Sequence, residues 1–420
     1  MVLLAAVAVF ALATAGLVLL IEPIPGWYYT FAWWSSIVAV DDANRRLGGR
    51  SLLRDRFRHL AYLAYASVLW WTLFEIVNLR LGNWFYVMSP AGRPLRWASG
   101  VVAFATVLPA ITVTVTLIEN LGWLRTVRVT PLSWTPRKRA AVLALGIVSV
   151  VLPLAWPDVF YPLIWGSVIF LLEPWNRDHA RRSFLRDLEQ GEAGPFVRTL
   201  LAGLVCGALW EVWNYWARTK WMYTVPGFED LKLFEMPVLG FLGFPPFAVE
   251  CLVLLRFLGA VGDCSSARGR TRVRLAAAVL GPAAVVGMFA SIDRVTVDSL
   301  YAPTAELSVL PAVDRARMAS AGLRSPELVL RRLRSDAGRA EWAARTGIDA
   351  GALRAHFERT RLVMHRGIGD RRAAQLAGVG VNRVEDLGLW TSQGLAARLR
   401  TGDPRDRFLE RRVQAWRAGL

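Results

Sequence analysis

Long apolar runs separated by short, arginine-rich loops constrain this chain more than any other feature. A membrane-spanning helix needs about 20 apolar residues. Runs near that length predict nine spans, at residues 2–20, 26–41, 60–78, 98–118, 140–155, 159–174, 197–215, 236–257 and 274–292. The last is interrupted by Pro282 and by small residues. The first lacks the basic start and cleavage site of a signal peptide, so we expect it to stay in the protein.

The charge distribution predicts the orientation of these spans. The chain has 420 residues, is 54% hydrophobic and carries a formal charge of +17. Such an excess of arginine can bind nucleic acid, bind an anionic membrane surface, or determine membrane topology. Topology is favoured, because the arginines concentrate in alternate loops at 45–58, 125–139, 177–186 and 268–274. By the positive-inside rule these loops and the N-terminus are cytoplasmic, which predicts a multi-pass protein of the inner membrane.

An internal repeat divides the apolar part into two halves. "FEIVNLRLGNWFY" and "WEVWNYWARTKWMY" both place an acid three residues before Asn and end in Trp-x-Tyr. The matching sets are Glu75, Asn78, Trp84 and Tyr86 in the first half, and Glu211, Asn214, Trp221 and Tyr223 in the second. Upstream, Asp42 follows Trp34 at the spacing with which Glu173 follows Trp165. Two even-numbered repeats point the same way across the membrane, and ligand sites in such proteins lie between them.

The predicted fold class is therefore all-α, a polytopic membrane helix bundle with a parallel four-helix internal repeat and a small helical C-terminal domain. The predicted boundaries are 1–122 and 137–260 for the two repeats, 272–292 for a ninth membrane helix, and 303–420 for the C-terminal domain.

Three acids are candidate catalytic residues because carboxylates are costly inside a bilayer, by about 2.5–3.5 kcal/mol on insertion scales. Glu75 and Glu211 lie near the outer ends of their helices, and Glu250 is flanked by apolar residues on both sides. The candidate substrate-binding residues are Asn78, Trp84, Tyr86, Asn214, Trp221 and Tyr223. Asp42 and Glu173, at the cytoplasmic ends of neighbouring spans, are candidate supporting residues.

Two interpretations of these residues remain open. In the functional one, aromatic side chains line an intramembrane cavity, an acid protonates an alkene, and aromatic faces stabilise the carbocation. In the structural one, Trp and Tyr form the usual interfacial belt and the acid–Asn pairs are hydrogen bonds between helices. The structural interpretation is favoured for the aromatic residues, whereas the two are balanced for Glu75 and Glu211.

The segment "WNYWARTKWMYTVPGFEDLKLFEMPVLGFLGFPPFAVE" resembles the integral-membrane lycopene cyclases and related carotenoid hydratases. Those families repeat a Trp/acid helix, a Trp-x-Tyr segment and a Pro-x-Glu-Glu helix. Here no adjacent acid pair follows Pro245 and Pro246, and Glu250 is the nearest acid. The resemblance implies a membrane fold and a long apolar isoprenoid or lipid ligand, but it does not carry the cyclisation reaction to this chain.

No cofactor and no metal site are predicted. The three cysteines lack the paired spacing of a disulfide framework or a zinc site. None of the four histidines falls within an apolar run.

The C-terminal segment "LVMHRGIGDRRAAQLAGVGVNRVEDLGLW" resembles a helix-hairpin-helix module, with a Gly367-Ile368-Gly369 turn between two helices. Glycines allow a tight turn with accessible amides. In nucleic-acid-binding members such amides hold a phosphate, which the resemblance assigns to Gly367, Gly369 and Arg371. A second copy at 317–333 lacks the glycine turn. A protein partner is therefore favoured over nucleic acid.

Together these patterns leave two main hypotheses. The first is a membrane protein that binds or processes a lipid or isoprenoid with Glu75, Glu211 and Glu250. The second is a non-enzymatic membrane anchor whose C-terminal domain binds a protein or nucleic acid. A transporter is less favoured, because no span carries a series of acids or bases.

Overall fold

The computed structural model describes residues 1–226, 231–400 and 406–418, and almost all of its regular structure is helical. In this part of the chain, seven helices are long and apolar enough to cross a membrane. They are Val2–Leu19, Phe57–Leu81, Arg93–Asn120, Pro136–Ala155, Gly194–Trp216, Val238–Cys264 and Ala267–Val295. The all-α class and a membrane bundle are thus confirmed, whereas two of the nine predicted spans, 26–41 and 159–174, do not belong to this set.

The first half begins with a helical hairpin and ends in a broken helix. Its elements are α1 (Val2–Leu19), α2 (Ile24–Arg46), α3 (Phe57–Leu81), β1 (Trp84–Val87), α4 (Arg93–Phe104) and α5 (Val107–Asn120). The predicted span 26–41 is a helix, α2, but its Trp, Tyr and Ser residues make it less apolar than the others. Because α2 is packed between helices rather than exposed to lipid, it does not need an apolar surface.

The second half repeats this order with one interruption. Its helices are α6 (Pro136–Ala155), α7 (Pro157–Phe160), α8 (Ser167–His179), α9 (Phe184–Glu189), α10 (Gly194–Trp216) and α11 (Phe244–Cys264). Its strands are β2 (Lys220–Tyr223), β3 (Lys232–Leu233) and β4 (Met236–Pro237). The predicted span 159–174 is broken, because a 3-10 turn at Tyr161–Ile164 and Gly166, with φ of +117°, precede α8.

The two halves share one core. Trp33 on α2 is only 2% exposed, and its ring lies 5.5 Å from that of Trp210 and 4.6 Å from that of Trp213 on α10. Phe74 on α3 stacks on Trp165 at 5.0 Å. Such aromatic pairs hold the halves together over a large area.

A short antiparallel ribbon also joins the halves. Trp84 of β1 pairs with Tyr223 of β2, and Tyr86 pairs with Trp221. Each Trp therefore faces the Tyr of the other copy. A two-fold rotation exchanges the two strands, as expected where two parallel repeats meet around an axis along the membrane normal.

The ninth predicted helix is longer than its sequence pattern suggests. It runs unbroken through Pro282 as α12 (Ala267–Val295), and at 1.5 Å per residue its ends lie about 40 Å apart. Its first turns belong to the basic loop at 268–274. The chain that leaves its other end pairs with the segment after α3, through Tyr86 with Val297 and Ser89 with Leu300. The C-terminal region therefore lies at the membrane face opposite the basic loops.

That region is a helical cluster packed on the end of the bundle. Its helices are α13 (Ala312–Ser320), α14 (Pro326–Arg332), α15 (Asp336–Thr346), α16 (Ala350–Met364), α17 (Gly369–Ala377), α18 (Ser392–Arg400) and α19 (Leu409–Arg417). Just before α19, the Phe408 ring lies 5.6 Å from that of Phe85 in β1. Arg411 donates a 2.8 Å hydrogen bond to the Leu81 carbonyl, and Arg407 donates to that of Leu79. These arginines satisfy carbonyls that the end of α3 leaves free.

Candidate functional site

Glu75 lies at the centre of a group of aromatic donors. Its side chain is fully buried, and its Oε1 atom accepts hydrogen bonds from Trp71 Nε1 at 2.8 Å, Trp84 Nε1 at 3.0 Å and the Tyr86 hydroxyl at 2.5 Å. Its second oxygen has no partner among the described residues. The helix α3 thus supplies the acid and one Trp, and β1 turns back over it to supply the other Trp and the Tyr.

Glu211 repeats this arrangement in the second half with fewer donors. It is also fully buried, and its Oε1 atom accepts a 3.1 Å hydrogen bond from the Tyr223 hydroxyl. Burial is the main reason why the pKa values of the Tyr86 and Tyr223 hydroxyls are raised well above 10, and the nearby glutamates raise them further. Both hydroxyls therefore stay protonated and act as donors at neutral pH.

The two asparagines fix the strands to the helices that precede them. Asn78 Nδ2 donates to the Trp84 carbonyl at 2.9 Å and Asn78 Oδ1 accepts from the Asn83 amide at 2.8 Å. Asn214 makes the equivalent bonds with both backbone groups of Trp221, at 2.9 and 3.0 Å. Neither asparagine lines the cavity described next. Their role in substrate binding stays a prediction, whereas their bonds to the strand backbone are present in the structure.

A cavity of about 480 Å³ lies between the two halves. That volume is within the range of about 300–1,000 Å³ typical of small-molecule sites. Trp84, Tyr86, Trp221 and Tyr223 all line it. The other aromatic residues that line it are Tyr29, Trp71, Phe104, Tyr161, Trp165, Trp210, Phe244, Phe247 and Phe289. Glu75 and Glu211 do not line the cavity, but each binds the hydroxyl of a tyrosine that does.

The charged residues that line the cavity are paired. Arg96 donates two hydrogen bonds to Asp293, at 2.7 and 2.9 Å, and Lys220 donates to Glu235 at 2.6 Å. Among the described lining residues no charged side chain lacks an opposite charge. Leu239 and Leu242 also line the cavity and are 56% and 71% exposed. The lining is therefore mainly apolar, and its charges are neutralised in pairs.

Glu250 lies away from this cavity. It is fully buried, and its Oε1 atom accepts a 3.0 Å hydrogen bond from the Val168 amide in the first turn of α8. A carboxylate is favourable at a helix N-terminus, because the first amides have no partner within the helix. Glu250 therefore compensates for the break before α8. The first half has a continuous α2 at the equivalent place and needs no such acid.

The predicted match of Asp42 with Glu173 is displaced by one residue. Glu173 accepts hydrogen bonds from Ser183 Oγ and the Leu185 amide, at 2.8 and 3.0 Å. In the first half it is Asp41 that binds Ser51 Oγ, the Leu52 amide and the Leu53 amide. Asp42, which is also buried, instead pairs with the exposed Arg45 and Arg46. Adjacent helical residues point about 100° apart, so only one of the two acids can face the loop.

The predicted phosphate-binding turn is in contact with the bundle. Gly367 and Gly369 are buried and have φ of +69° and +76°. A Cβ on Gly367 would come within 2.4 Å of Val87 Cβ, and one on Gly369 within 2.4 Å of Ser299 Cβ. Arg371 is exposed. The turn therefore packs against β1 and the segment at Ser299, and phosphate binding by Gly367, Gly369 and Arg371 stays a prediction.

Sequence reasoning missed several residues that shape these sites. Asp41, Trp71 and the ion pair of Arg96 with Asp293 were not predicted. A signal for Asp41 was present, since the pair Asp41/Asn44 has the same acid-x-x-Asn spacing as Glu173/Asn176. Asn44 donates to the Val113 carbonyl of α5, and Asn176 donates to the Val253 carbonyl of α11, both at 2.9 Å.

Comparison with known proteins covers the C-terminal region. Residues 310–413 match a family model described as a domain of unknown function (DUF4332). No curated protein and no solved structure matches the chain. The resemblances to helix-hairpin-helix modules and to lycopene cyclases therefore stay predictions, and residues 227–230 of the latter segment lie outside the described part. The chain is a helical membrane protein with a DUF4332-like region at its C-terminus.

Proposed function

We propose that this protein binds the apolar part of a lipid or isoprenoid in the cavity between its two halves. One observation carries the proposal. Each half contributes a hydrogen-bonded Tyr–Glu pair, and both tyrosines line the same aromatic cavity of about 480 Å³. Both tyrosines line the cavity although their acids do not. The paired charges and the exposed leucines favour an uncharged ligand that arrives from the bilayer.

A proton transfer is the chemistry that this arrangement supports. A proton can pass between each glutamate and the ligand through a tyrosine hydroxyl, since hydroxyls donate and accept. Trp faces beside the cavity would stabilise positive charge on a polyene. Ligand binding comes first in this proposal, and the reaction depends on it.

The test is to identify the lipids that co-purify with the protein and to fill the cavity. A Cβ on Gly243 would lie 3.8 Å from Trp165, an ordinary contact, so Gly243→Leu should occupy the space without moving the backbone. Gly287→Leu is the matched control, because nothing lies within 4 Å of a Cβ there. We expect Gly243→Leu to lose most of the co-purifying lipid found by mass spectrometry while Gly287→Leu retains it. Equal retention by both variants would overturn the proposal.

The reaction is tested separately in the variant Tyr86→Phe/Tyr223→Phe, which keeps the shape of the cavity but removes both hydroxyls. If the protein processes its ligand, cells that produce this variant should accumulate the unconverted lipid still bound to it. Glu75→Gln/Glu211→Gln should behave in the same way. Unchanged lipid species in both variants would restrict the function to binding.

We also propose an orientation in which the basic loops are cytoplasmic and the C-terminal region is on the opposite side of the inner membrane. The support is the charge bias together with α12, which separates the 268–274 loop from the C-terminal helices by a membrane thickness. On that side no nucleic acid is available, which favours a lipid or protein as the partner.

A further inference from the structure

A second cavity lies on the basic-loop side of the first half. It has a volume of about 280 Å³ and is enclosed by α2, the loop at 51–56 and the start of α3. Its walls include Trp34, Ile37, Leu52, Phe57 and Leu60. The acid that lines it, Asp41, is occupied by Ser51 Oγ at 2.5 Å and by two loop amides at 2.6 and 3.1 Å. The space therefore offers apolar contacts to any occupant.

Exposed arginines without ion pairs neighbour the lining residues Leu52, Leu53 and Phe57 in the sequence. Arg50, Arg54, Arg56 and Arg58 are exposed, and in the described chain none of them has a carboxylate within ion-pair distance. The one acid in the loop, Asp55, accepts a hydrogen bond from the Ser51 amide. Phe57 is the first residue of α3, a helix long and apolar enough to cross a membrane, so we place these arginines at the depth of the lipid headgroups.

The second half differs at the equivalent place. Phe184 takes the position of Leu52 after the acid-bound serine, is 2% exposed, and packs on Phe196 at 5.6 Å. The Arg256 guanidinium covers its ring at 3.7 Å. A larger, packed side chain therefore stands where Leu52 lines the cavity of the first half.

The arginines also differ between the halves. Leu188 and Gln190 take the positions of Arg56 and Arg58. Arg186, which takes the position of Arg54, donates a hydrogen bond to the Ala180 carbonyl. Two of the three arginines have no counterpart, so the site is a specialisation of the first half.

We propose that the first half binds an anionic glycerophospholipid at this place, with an acyl chain in the 280 Å³ cavity and the phosphate against Arg54, Arg56 and Arg58. Unpaired arginines at headgroup depth attract anionic lipid, and arginine binds phosphate oxygens in a forked geometry. The apolar cavity beside them requires a ligand with a chain. This site is distinct from the cavity between the halves and does not depend on the function proposed for it.

The test uses the full-length protein in nanodiscs that contain phosphatidylcholine and phosphatidylglycerol, with the lipids retained after extraction measured by native mass spectrometry. Leu52→Phe places in the first half the residue that the second half already has. Arg54→Gln/Arg56→Gln/Arg58→Gln removes the charges. The control Arg268→Gln/Arg272→Gln/Arg274→Gln removes three exposed charges on the same membrane face, away from the cavity.

Each arginine near an anionic surface contributes about fivefold in affinity. The Arg54 triple variant should therefore lower the preference for phosphatidylglycerol by more than about tenfold, and Leu52→Phe should displace the lipid although all charges remain. The control should retain it. Wild-type retention in Leu52→Phe, or an equal loss in the control, would overturn the proposal. Displacement of the lipid by glycerol phosphate alone would also do so, because the chain would then contribute nothing.

Discussion

At the scale of single residues, the two buried glutamates differ in how many donors they keep. Glu75 Oε1 has three donors, two of them indoles, whereas Glu211 Oε1 has the Tyr223 hydroxyl as its side-chain donor in the described residues. The loss of one donor matters most where it leaves a buried acceptor unsatisfied. The two tyrosines occupy equivalent positions in the repeat, but we expect their hydroxyls to contribute differently to the stability of the protein.

Tyr223→Phe should therefore be the more damaging substitution. We expect it to lower the free energy of unfolding by about 2 kcal/mol, because Glu211 loses its side-chain donor and the Met236 backbone is left as its partner among the described residues. Tyr86→Phe should cost about 1 kcal/mol, since two indoles continue to bind Glu75. Denaturation in mixed micelles, followed by tryptophan fluorescence, measures both. A larger loss for Tyr86→Phe would contradict this account.

Residue spacing identified the Trp and Tyr residues that pair between β1 and β2, but it could not separate neighbouring residues of the same chemistry. Asp41 and Asp42 have the same chemistry, and the sequence does not show which one faces the 51–53 loop. The roles of Asn78 and Asn214 were also out of reach, because their partners are backbone groups of a strand that the sequence pattern did not predict.

At the scale of elements, the two faces of β1 contact different parts of the protein. Trp84 and Tyr86 line the cavity, whereas Phe85 and Val87 contact the C-terminal helices through Phe408 and Gly367. Side chains in a strand alternate in this way. The C-terminal region is thus connected to the candidate site through four residues.

A comparison of Gly367 with Gly347 separates the effect of the contact with β1 from the energetic cost of placing a side chain at a positive φ. Gly367 and Gly347 have nearly the same φ, +69° and +67°, but only a Cβ on Gly367 meets Val87, at 2.4 Å. An alanine at either position costs about 1–2 kcal/mol in the left-handed region. Gly367→Ala should in addition release the C-terminal helices from β1.

Hydrogen exchange measures that release. We expect faster exchange of the Tyr86 and Ser89 amides, which now bind the Thr296 and Ser299 carbonyls, in Gly367→Ala but not in Gly347→Ala. Faster exchange in neither variant, or equally in both, would show that the turn does not hold the C-terminal region in place.

Element boundaries were predictable where apolar runs were long and unbroken, as for α1, α3, α6 and α10. They were not predictable where side chains from other elements compensate for a break. The amide that α8 leaves free at Val168 is satisfied by Glu250 on α11. In the opposite direction, Pro282 did not end α12 even though proline removes a helical hydrogen bond.

At the scale of the whole molecule, the all-α class and the long apolar helices were predictable from the sequence. The docking of the C-terminal helices could not be foreseen, because it depends on arginines that bind helix-end carbonyls. Arg412 is an example, since it lies buried between Asp298 and Asp406 with its guanidinium 3.9 Å from the Phe85 ring. Nothing in the local sequence distinguishes it from the arginines around it.

The native cysteines allow the orientation to be measured. Cys206 and Cys251 are buried and Cys264 is exposed at the end of α11, beside the 268–274 loop. A membrane-impermeant maleimide should therefore label Cys264 in inverted vesicles but not in intact cells. Ala340→Cys in a Cys264→Ser background, at an exposed site in α15, should give the opposite result. Labelling of both positions from the same side would contradict the proposed topology.

The strand β1 also imposes a mechanical constraint. Its four residues have a tether at each end, because Asn78 holds the Trp84 carbonyl and the Met88 amide binds Ser299 Oγ. Because the strand is short and held at both ends, the side chains on its two faces move together. A ligand that displaces the Tyr86 ring should therefore also change the contact of β1 with Phe408. If a partner binds the C-terminal helices, the two binding events are coupled, and each changes the binding free energy of the other by the same amount.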